Sequence, residues 1–236
     1  MIGTPKIGDG LEAFNSVIDA REIARLVGEL ARWVAPETFR LLPVWCPETA
    51  RKQRLYKAGW KEGQTNRGNP KFEGNSKANA ALSMALGVVK KKRPNWTCCH
   101  IWGQVDDPRY YSCTANMILL PTPLKAFTDS VPEMKAALRI AAFRLYGFLP
   151  EGKAPPDVKD AGAWLPNGWD RGQVSGVRPL TVKIEKSATD RKQRILNEFN
   201  EPQGEYPHKQ VDGVMRYWTE KIPDFEFTGR SHDQNI

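Results

Sequence analysis

The sequence lacks the features that mark membrane and secreted proteins. It has no apolar run of about 18 residues, as a membrane-spanning helix needs, and its mean hydropathy is −0.54. The first residues, MIGTPKIGDGLEAF, lack the basic and apolar regions of a secretory signal. Four cysteines, two of them adjacent, are too few for a disulfide framework in 236 residues. We therefore expect a soluble cytoplasmic protein that has no contact with a membrane.

Several catalytic and metal-binding signatures are missing as well. The sequence contains no glycine-rich phosphate loop, no GxSxG nucleophile elbow and no dinucleotide-binding fingerprint. It has no CxxC pair, and the adjacent Cys98 and Cys99 would point to opposite faces of a strand. A structural zinc bound by Cys46, Cys99 and Cys113 is therefore a weak alternative to buried, inert thiols.

What the sequence does have is positive charge concentrated in one segment. The formal net charge is +8, from 35 basic and 27 acidic residues. From Arg51 to Arg93 there are twelve basic and two acidic residues, so this segment carries +10 and the rest of the chain −2. Tyr56, Trp60 and Phe72 are interleaved with the basic residues. Because cations displace counterions from a polyanion and aromatic rings stack on unpaired bases, the segment is typical of nucleic-acid binding. A solvated, solubilising surface is the alternative.

The residues that we expect to contact a nucleic-acid backbone share this segment and a positive charge. They are Arg51, Lys52, Arg54, Lys57, Lys61, Arg67, Lys90, Lys91, Lys92 and Arg93. DNA is the expected partner, and RNA fits the same chemistry.

Apolar spacing and capping residues predict helices on both sides of a strand-rich centre. The first predicted helix covers residues 11–34 and ends at Pro36. The others are a short basic helix at 48–58, a helix from Asn75 or Ser76 to about Leu86 with Gly87 as its stop, a short helix Pro123–Asp129 capped by Thr122, a helix opened by the capping box Ser130–Glu133 and ending near Tyr146, and helices at 187–199 and 208–221.

Strand-forming residues predict one hairpin near the middle of the chain. Its strands cover residues 95–103 and 109–120, and Asp106, Asp107 and Pro108 supply the turn. A further strand is predicted over residues 179–186, after a loop region that is rich in glycine and proline.

The chain has only three histidines, and His100 alone lies in a dense, apolar segment. Asn116 follows it by sixteen residues, on the return strand, and Lys125 follows Asn116 by nine, on the predicted short helix. Asp129 lies one helical turn after Lys125, on the same face. Histidine is the side chain whose ordinary pKa suits it to deprotonate water near neutral pH, so these residues are candidates for hydrolytic chemistry.

The order of these residues resembles the ββα-metal, or HNH, nuclease family over about 35 residues. The resemblance implies that His100 acts as general base on a water molecule and that Asn116 orients it. The family's helix carries metal ligands one turn apart, commonly histidines, and Lys125 and Asp129 stand at those offsets here. We therefore expect Lys125 to stabilise the transition state, and Asp129 with Cys99 to hold a divalent cation, Mg²⁺, Mn²⁺ or Zn²⁺.

The predicted fold is α+β, with a ββα-metal hairpin-helix core flanked by N-terminal and C-terminal helices and long loops. The predicted regions are a helical region at 1–50, the basic segment at 51–94, the nuclease core at 95–147 and a loop-rich region with terminal helices at 148–236. The predicted function is metal-dependent hydrolysis of DNA. The family resemblance further implies a role in restriction or other anti-phage defence. The alternatives are a non-catalytic nucleic-acid-binding protein and a small subunit of a larger complex; a homodimer or a partner protein fits either.

Overall fold

The computed structural model describes residues 13, 16, 17, 19–51, 69–88, 93–169, 174–201 and 206–228. The helices among them are α1 (Ala20–Leu30), α2 (Pro36–Leu41), α3 (Ser76–Ala85), α4 (Pro108–Tyr111), α5 (Lys125–Ser130), α6 (Pro132–Tyr146), α7 (Val182–Asn200) and α8 (His208–Lys221). The strands are β1 (Trp33–Val34), β2 (Thr49–Arg51), β3 (Lys71–Glu73), β4 (Trp96–His100), β5 (Met117–Pro121) and β6 (Val177–Arg178). The chain is thus α+β, as predicted, with more helix than strand.

The centre of the fold is the antiparallel pair of β4 and β5, which is buried on both faces. Trp96 pairs with Pro121 at one end of the ribbon, and His100 pairs with Met117 at the other. Because successive side chains of a strand point to opposite faces, Cys98 and Leu119 enter one hydrophobic core while Cys99 and Leu120 enter another. The two adjacent cysteines therefore do point apart, as the sequence predicts.

Helices cover both faces of this ribbon. The core on the Cys98 face contains residues of α2, α3, α7 and α8. The core on the Cys99 face contains residues of α1, α5 and α6. No helix among the described residues is both long and apolar enough to cross a bilayer.

Most of the predicted helices are present, with changed ends. The first is shorter than predicted: it ends at Leu30, and Pro36 opens α2 instead of ending α1. The chain becomes extended in between because Trp33 and Val34 point into the two different cores. The predicted basic helix at 48–58 is wrong over its first residues, where Thr49–Arg51 form β2; residues 52–58 lie outside the described residues.

Two strand predictions are wrong in part or in full. Residues 109–111 belong to α4, whose N-terminus is capped by the Asp107 side chain at 2.8 Å from the Arg109 amide. Residues 182–186 open α7, which Thr181 caps. The buried residues of α7, Ile184, Ala188, Ile195 and Phe199, follow a helical spacing that extends beyond the short alternating stretch.

Candidate active site

His100 lies at the end of β4, where its half-buried ring packs against Tyr111. The rings are nearly parallel, with centroids 5.8 Å apart. His100 Nε2 lies 2.8 Å from the backbone oxygen of Tyr111. Because a carbonyl oxygen only accepts, this contact places the imidazole proton on Nε2 and the lone pair on Nδ1. No described residue forms a hydrogen bond with Nδ1.

Burial lowers the pKa of His100 to about 4, although its hydrogen bond to Tyr111 has the opposite effect. The positive charges of Arg51 and Lys125 lower this pKa further, and the negative charge of Asp129 raises it. The imidazole is therefore neutral at physiological pH. The groups that set its charge come from β2, α4 and α5, so three elements converge on this strand end.

The depressed pKa of His100 predicts a loss of stability in acid. The unfolded chain takes up a proton near pH 6.5, whereas the folded chain takes it up only near pH 4, so lowering the pH favours unfolding. This group should make the protein about 2 kcal/mol less stable at pH 5 than at pH 7. Urea unfolding at both pH values gives the difference in the free energy of unfolding between pH 5 and pH 7. His100→Gln should reduce this difference by about 2 kcal/mol, and His208→Gln should not. Equal acid sensitivity in wild type and His100→Gln would contradict the prediction.

Two residues that the sequence analysis did not single out hold this site together. The Tyr111 hydroxyl donates to Glu73 Oε1 at 2.6 Å, and the backbone oxygen of the same tyrosine accepts from His100. The Glu73 carboxylate, only 7% exposed, also accepts from the Lys77 amide in the first turn of α3. Glu73 thus caps α3 where the sequence predicts Asn75 or Ser76, and it links that helix to the tyrosine beneath the imidazole.

The Asn116 side chain forms its hydrogen bonds with other groups than His100, which differs from the role that the resemblance implies. Its fully buried amide accepts from the Trp102 amide at 2.8 Å, and it donates to Gly103 O at 2.9 Å and to Tyr110 O at 3.0 Å. These bonds satisfy backbone groups in the connection between β4 and α4. Asn116 is therefore a positioning residue, which fixes the segment that carries Tyr111 and not the ring itself.

Lys125 and Asp129 form an ion pair with each other across one turn of α5. Their charges change the pKa of His100 in opposite directions, and the convergence of the three side chains stays a prediction. The two side chains are 38% and 54% exposed, and exposed pairs of this kind contribute less than about 1 kcal/mol. The pair is therefore only weakly stabilised.

The surroundings of Cys99 and Asp129 do not favour the metal site that the resemblance implies, and a site with only these two protein ligands stays a prediction. Cys99 is 3% exposed, burial raises its pKa to about 11, and its side chain lies in the core beside Thr128. It is thus a neutral thiol at physiological pH, whereas metal ligation needs a thiolate. Asp129 is already paired, and within the described ranges no group of three histidine, cysteine or acidic side chains could hold an ion. Cys46 and Cys113 lie in the other core, apart from Cys99, so the alternative zinc site is wrong.

Of the ten residues predicted to contact nucleic acid, two lie within the part of the chain that the structure describes. Arg51, at the end of β2, lies close enough to His100 to lower its pKa. Arg93 is buried, with 8% of its surface exposed, and its guanidinium binds Ser83 and Asn79 instead of projecting into solvent. The remaining eight predictions, Lys52, Arg54, Lys57, Lys61, Arg67, Lys90, Lys91 and Lys92, lie outside the described residues.

A cleft of about 700 Å³ lies elsewhere, between α1 and a wall formed by Leu165, Trp169 and Ser175. Much of its charged lining is paired internally, because Arg25 binds both Glu22 and Glu29 at 2.6 Å, and the Asp19 side chain caps α1. The cleft therefore has volume but no converging reactive groups, and it is a poorer candidate than the end of β4.

Comparison with known proteins does not identify the chain. No protein-family model, no curated protein and no solved structure matches it.

Proposed function

We propose that the protein hydrolyses nucleic-acid phosphodiester bonds, with His100 as the general base. The observation that carries this proposal is an imidazole whose proton is held on Nε2 by Tyr111; the charges of Arg51 and Lys125 act on this ring and lower its pKa. A neutral imidazole with a defined tautomer can accept a proton, and adjacent cations can hold a phosphate. The arrangement of β4, β5 and α5, two antiparallel strands followed by a helix, supports the ββα interpretation of this region.

The reaction that this arrangement can perform is a direct displacement by water. The oxygen of a water molecule forms a bond to phosphorus while one of its protons passes to His100 Nδ1. The bond from phosphorus to the leaving sugar oxygen breaks, and that oxygen takes a proton from solvent. Lys125 and Arg51 compensate the negative charge that develops on the phosphoryl oxygens.

The low pKa of His100 in the free protein makes it a weak base, and a bound phosphate opposes the smaller causes of this, because burial is the largest one. An anion placed between Arg51 and Lys125 offsets the two cations that lower the pKa. Its own negative charge also stabilises the imidazolium, so substrate raises the pKa towards the value that proton transfer requires. The base therefore strengthens only when substrate is present.

Metal dependence remains a prediction of the family resemblance. The described residues contain no group of three ligands, so a divalent cation held by Asp129 and Cys99 would complete its coordination with the substrate phosphate and water. The non-catalytic alternative uses the same cations to bind nucleic acid without cutting it.

The test is incubation of the purified protein with supercoiled plasmid and with single- and double-stranded DNA and RNA. Each substrate is tested with Mg²⁺, Mn²⁺, Zn²⁺ or a chelator. We expect cut products under at least one condition, and their absence from an identical preparation of His100→Gln excludes a contaminating nuclease. Binding without cutting under every condition, by protein with native circular dichroism, would overturn the proposal in favour of a binding protein.

A further inference from the structure

A second pocket, of about 200 Å³, opens at the start of β4, at the opposite end of the strand from His100. Its polar lining consists of three arginines, Arg32, Arg93 and Arg178, and its apolar lining includes Leu86, Trp96 and Leu119. No acidic side chain of a described residue contributes to the lining. The pocket therefore combines an apolar wall with positive charge, as an amphipathic anion requires.

The charge of these arginines is not compensated by the described part of the chain. None of the three lies within ion-pair distance of a described carboxylate. Arg93 is almost buried, and it binds the Ser83 hydroxyl and the Asn79 backbone oxygen at 2.6 and 2.9 Å. Burial lowers its pKa. Because a buried cation without a counterion is costly, the pocket favours an anionic ligand.

Arg32 and Trp96 form the part of the pocket that can recognise more than charge. The Arg32 guanidinium lies over the Trp96 ring, 5.8 Å from its centroid. Only one of its nitrogens, Nη1, donates hydrogen bonds to described residues; the acceptors are the backbone oxygens of residues 29–31 at the end of α1. The other donors of Arg32 make no hydrogen bond to a described residue and can reach a phosphate. The indole also packs against the core on the Cys98 face, and its exposed part is left for contact with a base.

We propose that this pocket binds one unpaired nucleotide of a nucleic-acid strand, with its phosphate on Arg32 and Arg178 and its base against Trp96. The volume is smaller than the about 300 to 1,000 Å³ of cofactor and drug pockets, so the pocket encloses only part of the nucleotide and leaves the rest of the strand outside. Trp96 and His100 are four residues apart on one strand, or about 13 Å. On the proposed function, the pocket holds a strand that continues to His100, so the substrate is single-stranded or locally opened.

The test measures the binding of a labelled single-stranded oligonucleotide by fluorescence anisotropy across a range of salt concentrations. Arg178 is exposed and makes no side-chain bond to a described residue, so Arg178→Ala isolates its contact with the ligand. We expect this variant to bind several-fold more weakly and to reduce the magnitude of the salt slope by about 0.7. Trp96→Leu should weaken binding about tenfold, and Trp96→Phe, which keeps an aromatic face, should restore most of it.

Arg40→Ala, which removes an exposed arginine on α2, is the control for net charge and should bind like wild type. A blunt duplex of the same sequence should bind more weakly than the single strand and be less affected by Trp96→Leu. Wild-type affinity in Arg178→Ala and Trp96→Leu would overturn the proposal. Equal binding of poly-glutamate and the oligonucleotide would do so too, since the pocket would then accept any polyanion. If the pocket variants lose affinity but wild type never cuts, the pocket stands and the proposed hydrolysis fails.

Discussion

Replacing His100 with glutamine is expected to lower the rate of phosphodiester cleavage by about 10²- to 10⁴-fold, which is the usual contribution of a general base. Glutamine keeps an N–H group that can donate to the Tyr111 oxygen, so the contact seen at 2.8 Å survives. It has no basic nitrogen to replace Nδ1. Single-turnover cleavage with saturating substrate measures the loss in the chemical step, and anisotropy on the same variant should show unchanged binding.

Two further variants separate a chemical role of His100 from a structural one. His208 packs against Phe199, with ring centroids 5.6 Å apart, so His208→Gln removes a histidine away from β4 and should cut at the wild-type rate. Added imidazole should restore part of the activity of His100→Ala, because a free base can occupy the space that the side chain leaves. Rescue by imidazole is not expected if the histidine only supports the fold. A His100→Gln protein that cuts at the wild-type rate would rule out the general-base role.

The sequence predicts best those elements whose signals are local. The helix from Ser76 ends where Gly87 takes a positive φ of 65°, and α6 ends at Tyr146 before Gly147, with φ of 63°. Glycine adopts this backbone conformation without strain, so both stops are readable from the sequence. The start of α6 is harder to predict from the sequence. Ser130 and Glu133 suggest a capping box, but the helix begins at Pro132 and no side chain caps it.

Site features that depend on distant contacts could not be predicted. The spacing of His100, Asn116, Lys125 and Asp129 predicts a cluster, and Lys125 and Asp129 do pair with each other and affect the pKa of His100. It does not show that Asn116 binds backbone groups, because the partners at 102, 103 and 110 come together only when residues 108–111 fold as a helix instead of a strand. The sequence also predicts that Tyr111, which lies beneath the imidazole, belongs to a strand. It therefore gives no sign of the hydrogen bond between Tyr111 and Glu73, which are 38 residues apart.

A buried ion pair far from His100 shows the same dependence on distant contacts. Glu48, 3% exposed, accepts from Arg191 Nη2 at 3.1 Å, although 143 residues separate them. The guanidinium also donates to the Trp45 oxygen at 2.7 Å and to the Tyr206 hydroxyl at 3.0 Å. Arg191 therefore joins α7 to the turn that leads into β2, the strand that carries Arg51 to the site.

Replacing Arg191 with methionine should lower the free energy of unfolding by about 3 to 5 kcal/mol. The substitution keeps most of the aliphatic volume but leaves the buried Glu48 carboxylate without its cation, which is the costly way to break such a pair. Urea unfolding at neutral pH measures the loss. Arg194→Met, at an exposed position of the same helix, is the matched control and should change stability by no more than about 0.5 kcal/mol.

The pH dependence of the Arg191→Met protein identifies the cause of its instability. Burial raises the pKa of Glu48, and the charge of Arg191 opposes that rise. Without the arginine the folded-state pKa rises further above the unfolded value, so folding destabilises the charged carboxylate. The destabilisation should then be largest above pH 7 and shrink as the pH falls and Glu48 takes up a proton in the folded state. Adding Glu48→Gln to Arg191→Met should restore part of the stability at neutral pH and remove this pH dependence. If the stability loss of Arg191→Met alone does not vary with pH, the packing of the arginine matters and its charge does not.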